Sequence, residues 1–219
     1  MTPLSTSNGT LLVVTSDTLG AELAVSDPRR QALLEAAVQI LATDGPHGLS
    51  LRRIAATAGG STQLVYTLFG GKQGLADALY AEGFRRLDER ACAIVRESHT
   101  PMGDPERLVA LGRGYLDFAR EEPAFFAVMF GRAIPDFVPS RATREHGRER
   151  TFGVLLETAQ ACLDAGTLVA PSALRLARLC WASAHGAASL DAAGMIDDPG
   201  FADAMLLVPI NAHRPGIGL

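Results

Sequence analysis

The sequence predicts an all-α protein, on three observations. Apolar residues recur at three- and four-residue spacing through most of the chain. Prolines and glycines cut that pattern into segments of helix length, and no stretch sustains a period-2 alternation of β-branched residues. At 219 residues with 47% hydrophobic content, the chain can build a real core in one or two domains. No apolar run approaches the ~18 residues of a membrane helix. "TLLVVTS" near the start is too short, and lacks the basic flank, for a signal peptide. Cys92, Cys162 and Cys180 are odd in number and have no metal-ligand spacing, so they read as reduced thiols of a cytoplasmic protein.

Taken in order, residues 1–26 are rich in Ser, Thr and Gly without helical period and read as a disordered arm. "SDPRRQ" starts the first helix, with Ser26 or Asp27 as cap and Pro28 in the first turn. Leu33, Leu34, Ala37, Ile40 and Leu41 give it an apolar face, and Gly45-Pro46 stops it. Ser50 caps a short helix, "LRRIAATA", facing inward through Leu51, Ile54, Ala55 and Ala58. Gly59-Gly60 allows a tight reversal, Ser61 caps a third helix through Phe69, and Gly70-Gly71 ends it. A long helix is expected from Gln73 to Arg96, then helices at about 104–121, 122–131, 141–164, 172–192 and 198–207, with residues 209–219 as a flexible tail.

Two short helices joined by a glycine turn form a helix-turn-helix unit over residues 50–69. Val65 and Phe69, four apart, pack inward and leave Thr62, Gln63, Tyr66 and Thr67 outward. A short polar face at the start of a second helix is the geometry that enters a DNA major groove. Lys72, the only lysine, would sit at the N-terminus of the long helix, where its ammonium and the backbone N–H groups can hold a phosphate oxygen together. From Arg29 to Lys72 the five basic residues Arg29, Arg30, Arg52, Arg53 and Lys72 face two acidic ones, Glu35 and Asp44, a local excess of three inside a chain of net charge −4.

"RRQALLEAAVQILATDG", "SLRRIAATAG", "S…VYTLFGGK" and Leu75 together resemble the DNA-binding domain of the TetR family of transcriptional regulators, over residues 27–87. Gly60, Val65, Leu68 and Gly71 depart from the family's usual Val, Leu, His and small polar cap. The resemblance implies a homodimer on a near-palindromic double-stranded operator, with residues 88–208 as a helical ligand-binding and dimerisation domain. The DNA-contacting residues are then expected to be Arg52, Ser61, Thr62, Gln63, Tyr66, Thr67 and Lys72.

In the second half, "YLDFAREEPAFFAVMF" followed by "WASAHGAAS" is similar to a subgroup named for a Trp-His-Gly signature, here Trp181, His185 and Gly186. Trp181 and His185 share one helix face. Phe118, Phe126, Met129, Phe152, Trp181 and His185 are the candidate wall of a pocket for a small apolar ligand; the same residues could equally pack a core. The small residues of "ASAHGAAS" would permit close approach of helices, between subunits or within one. The expectation is a repressor released by its ligand, with no cofactor and no metal. An enzyme on a helical scaffold and a helical interaction module are the alternatives. Against the enzyme, no G-x-S-x-G, H-E-x-x-H, phosphate-binding loop or dinucleotide fingerprint occurs, and five scattered histidines make no ligand set.

Overall fold

The computed structural model describes residues 27–131, 134, 139–198 and 200–216, so the expected arm over 1–26 lies outside the described residues. Among these the chain forms nine α-helices and one 3₁₀ turn, and no strand. Short polar side chains close the first turns, as capping chemistry requires. Asp27 accepts from the Arg29 N–H at 2.9 Å before α1 (Pro28–Asp44), with Pro28 in the first turn. Ser50 accepts from the Arg53 N–H at 3.3 Å before α2 (Leu51–Thr57), and Ser61 from the Leu64 N–H at 3.3 Å before α3 (Thr62–Phe69). Gly45 ends α1 at φ 66° and Gly70 ends α3 at φ 70°, both conformations that a side chain resists.

The first three helices close on Leu33, Leu34, Ala37, Ile40, Ile54, Ala55 and Val65, all buried. The long helix α4 (Lys72–Glu97) leaves this unit, starting one residue earlier than the sequence suggests, and buries Leu75, Ala76, Leu79 and Phe84. It packs against α5 (Glu106–Glu121), α6 (Pro123–Phe130) and α7 (Arg141–Asp164), while α8 (Ala173–Ala192) packs against α5, α7 and α9 (Phe201–Ala212). The α1 helix also rests on α6, so the helix-turn-helix unit is seated on the helical body. Arg107, buried in the first turn of α5, donates to the carbonyls of Val95 at the end of α4 and of Ser98, Thr100 and Pro101 in the α4–α5 connection. A buried guanidinium is tolerated there because several carbonyl oxygens replace its water.

The expected tail needs correction over its first residues. Helix α9 runs on to Ala212 with Pro209 inside it. Proline removes one intrahelical hydrogen bond. Burial of Pro209 and Ile210 offsets that loss, and His213 anchors the end: its carbonyl accepts from the Val169 N–H at 2.8 Å and its Nδ1 lies 2.7 Å from the Pro209 carbonyl.

Candidate nucleic-acid interface and cavity

The turn between α2 and α3 is set by Gly59 at φ 68° and by the Gly60 N–H donating to the Ala55 carbonyl at 2.8 Å. Val65 is fully buried and fixes the rotation of α3 about its axis. Gln63, Tyr66 and Thr67 are therefore exposed and Thr62 half-exposed, one polar stripe along the helix. Thr67 donates its hydroxyl to the Gln63 carbonyl at 2.9 Å, which turns its methyl away from that bond. Ser61 uses its oxygen as cap acceptor and keeps its hydroxyl proton to donate. The Arg30 guanidinium covers the Phe69 ring at 5.0 Å and supports the far end of α3.

The start of α4 is built by close approach. A Cβ on Gly74 would lie 1.7 Å from the Phe69 carbonyl oxygen, so only glycine lets α4 pack there on the end of α3. Gly71, at φ 113°, leaves the Tyr66 ring room that a Cβ would narrow to 3.2 Å. Lys72 is exposed at the first position of α4 and shares a small crevice with Ser50 and Leu51. Two helix N-termini, each with partial positive charge, thus meet beside Lys72. Arg53 is paired with Asp44 and Arg29 with Asp27, whereas Arg52 is exposed and has no ion-pair partner among the described residues.

The body holds a cavity of about 720 Å³, within the size of small-molecule sites. Tyr80, Phe84, Leu87 and Ile94 of α4 form one wall; Leu108, Leu111 and Tyr115 of α5, Phe130, Phe152 and Leu155, and Trp181 complete it. Of the six pocket residues expected from the sequence, Phe152 and Trp181 line this cavity. Phe118, Phe126 and Met129 do not: each is buried in the surrounding core, with Met129 lying against Gly83. The helix α6 that carries Phe126 and Met129 is apolar on every side, so periodicity could not separate wall from core. His185 stands behind the wall. Its Nδ1 lies 2.8 Å from the Tyr115 hydroxyl, its ring stacks on Trp181 at 5.4 Å, and Nε2 is 3.5 Å from the Ser189 hydroxyl. Burial lowers the His185 pKa and raises that of the Tyr115 phenol, so both are neutral and hold each other. Cys180, also on the wall, has its thiol pushed up to about 12 by burial.

One turn of α4 serves both regions. Phe84 faces the cavity, while Arg86 turns toward α1 and α6. Arg86 binds Glu82 and Glu122 at 2.9 Å each, pairs with Glu35 of α1, and covers the Phe125 ring at 4.6 Å. Burial alone would raise the Glu82 carboxyl, but hydrogen bonds from Arg85 and Arg86 hold it below its usual range. Sequence reading missed this cluster because Glu35 and Glu122 are remote from Arg86 in sequence; its local signs were the i,i+3 and i,i+4 pairs of Glu82 with Arg85 and Arg86.

A helix-turn-helix with an outward polar stripe, carried on a helical body with an apolar cavity, defines a DNA-binding regulator. Comparison with known proteins gives the same class. Residues 33–79 match the profile described as "Bacterial regulatory proteins, tetR family", and residues 108–208 match "Tetracyclin repressor-like, C-terminal domain". The chain belongs to the TetR family of transcriptional regulators. It is similar to the HTH-type transcriptional regulator BetI of Rhizobium meliloti, 29% identical over 105 residues, 48% of this chain and 52% of BetI. The chain thus matches about half the length of that relative. It is also similar to a protein of unknown function from Rhodococcus sp. RHA1, TM-score 0.69 and 29% identity, covering 85% of this chain and 93% of that one. A tetR-family regulator from Shewanella sp. PV-4 shares the fold, TM-score 0.65 at 22% identity over 86% of this chain and 99% of that one. The family is one of transcription regulators, which sets the enzyme reading aside. Among the described residues no helix is long and apolar enough to cross a membrane.

Proposed function

We propose that the chain is a cytoplasmic, homodimeric repressor that reads a near-palindromic operator through α3 and leaves it when a largely apolar small molecule fills the cavity. The observation that carries this is the double service of α4. The helix that begins directly after the recognition helix also forms one wall of a 720 Å³ apolar cavity. Filling the cavity moves α4, and α4 repositions α3.

Gln63 is suited to a bidentate pair with adenine, and the Thr62 and Thr67 methyls to thymine methyls. Arg52, Ser61, Tyr66 and Lys72 are assigned to the phosphate backbone, which positions without specifying sequence. An exposed apolar stripe supports the dimer: Leu179, Ala182 and Leu190 on α8, with half-buried Gly186 between them, and Phe201, Ala204 and Val208 on α9. A Cβ on Gly186 would meet nothing within 4 Å, so the stripe has room for a second copy.

A ligand releases DNA only if it prefers the non-binding shape. Taking a two-state equilibrium from 99:1 to 1:99 needs about 5.5 kcal/mol of preference. The test is a gel-shift titration with promoter DNA upstream of the chain's own gene, repeated with compounds selected because they perturb Trp181 emission. Release is expected, and operator DNA must weaken binding of the same compound by the same factor. Independent binding of compound and DNA would refute the proposal.

A further inference from the structure

We propose that the cavity's occupant is an amphiphile: an apolar chain or ring system ending in one oxyanion, a carboxylate or phosphate, held at the mouth by Arg144 and Arg178. This rests on the cavity being a ligand site, as proposed above.

The interior calls for an apolar body. Among the described residues no buried side-chain nitrogen or oxygen lacks a hydrogen-bond partner. On the wall, Tyr115 is engaged by His185, and the Thr151 hydroxyl is directed to the Phe84 carbonyl at 3.5 Å. A polar group placed deep in the cavity would lose its water and find only these hydroxyls, each already engaged, which costs free energy.

The mouth is different. Among the described residues five charged side chains line the cavity, and two are already committed: Arg90 pairs with Glu121, and Glu145 with Arg141 at 2.7 Å. Arg144 on α7, Arg178 on α8 and Glu149 on α7 are exposed as well as lining, so they stand where the cavity opens. None of the three has an ion-pair partner among the described residues. These three, two cations against one anion, carry a net charge of +1. Guanidinium groups bind oxyanions through paired N–H donors. They stand on two different helices, so one oxyanion between them would also draw α7 and α8 together.

The test uses the full chain and its single tryptophan, Trp181, as reporter on the cavity wall. Four probes share a twelve-carbon chain: dodecanoate, monododecyl phosphate, dodecan-1-ol and dodecyltrimethylammonium. Emission is titrated for the wild type, Arg144→Gln/Arg178→Gln and Glu149→Gln. At least one anion should bind about tenfold or more tighter than the alcohol and the cation, and lose that advantage in the double arginine variant. Glu149→Gln should tighten the anion and leave the alcohol unchanged, a sign that a merely structural role would not give. The tighter of the two anions names the head group. The assignment is overturned if the alcohol or cation binds as tightly as the anions, if the arginine variant binds the anions as the wild type does, or if no probe alters Trp181. Operator affinity is measured separately under saturating anion. Arginine-dependent binding without loss of operator affinity keeps this assignment and removes the release reading.

Discussion

Gln63 is exposed on α3 with its side chain committed to no partner among the described residues, and the proposed base reading rests on it more than on any other residue. Gln63→Ala should cost about 1–3 kcal/mol on the preferred site and relax one base position. Titrations against single-base variants of that site check this, and an unchanged preference order would reject the assignment. Lys72→Ala should instead weaken all sequences alike and lower the salt slope by about one per subunit, read from binding across a salt series. Gly74 belongs to neither list but is as demanding. Its substitution by alanine would put a Cβ 1.7 Å from a backbone oxygen, which cannot rotate away. Gly74→Ala should therefore cost about 1–3 kcal/mol of stability, seen as a lowered unfolding midpoint in denaturant, with operator affinity falling alongside. A variant as stable as the wild type would show that the α3–α4 junction is looser than its geometry implies.

At the scale of elements, α4 is the part on which both halves depend. Its Glu82–Arg86 turn faces Glu35 of α1, Glu122 at the start of α6, Arg85 on its own helix and Arg30 of α1. The folded pKa of Glu82 lies below its ordinary value of 4.5, so its contribution is present above about that pH and is lost as pH falls through the folded value. Arg86→Met keeps an apolar body against Phe125 and removes the guanidinium. The stability gap between wild type and variant should be widest near neutral pH and narrow below about 4.5. Melting curves across pH 3–7 read it, and a gap constant over that range would contradict the role given to the cluster. The helix boundaries themselves were largely legible, because Asp27, Ser50 and Ser61 cap and Gly45 and Gly70 stop in ways that short-range chemistry dictates. The outward stripe of α3 was legible for the same reason, since fully buried Val65, with Leu68 and Phe69 partly buried beside it, fixes which side faces in. The cavity wall was less so. Phe118 and Phe152 look alike in sequence, and only the packing of the surrounding helices makes one core and the other lining. The continuation of α9 past Pro209 was hidden too, because it depends on Val169 and the burial of Ile210 rather than on local propensity.

For the whole molecule, the distribution of charge and apolar surface matters more than any total. A chain of net charge −4 keeps a local positive excess around its helix-turn-helix, which concentrates DNA at that end and repels it from the rest. The apolar stripe of α8 and α9 lies on the body, so the proposed pairing there would leave the α3 helices of two copies available for two half-sites. Two-fold symmetry in the protein then demands it in the operator. Selection of bound duplexes from a random-sequence pool by the full chain tests this most directly. The expected product is an inverted repeat whose half-sites are centred one helical turn, about 34–36 Å, or a small multiple of it apart. A pool that yields no motif, or a single motif without its inverted partner, would contradict a dimer reading DNA through α3.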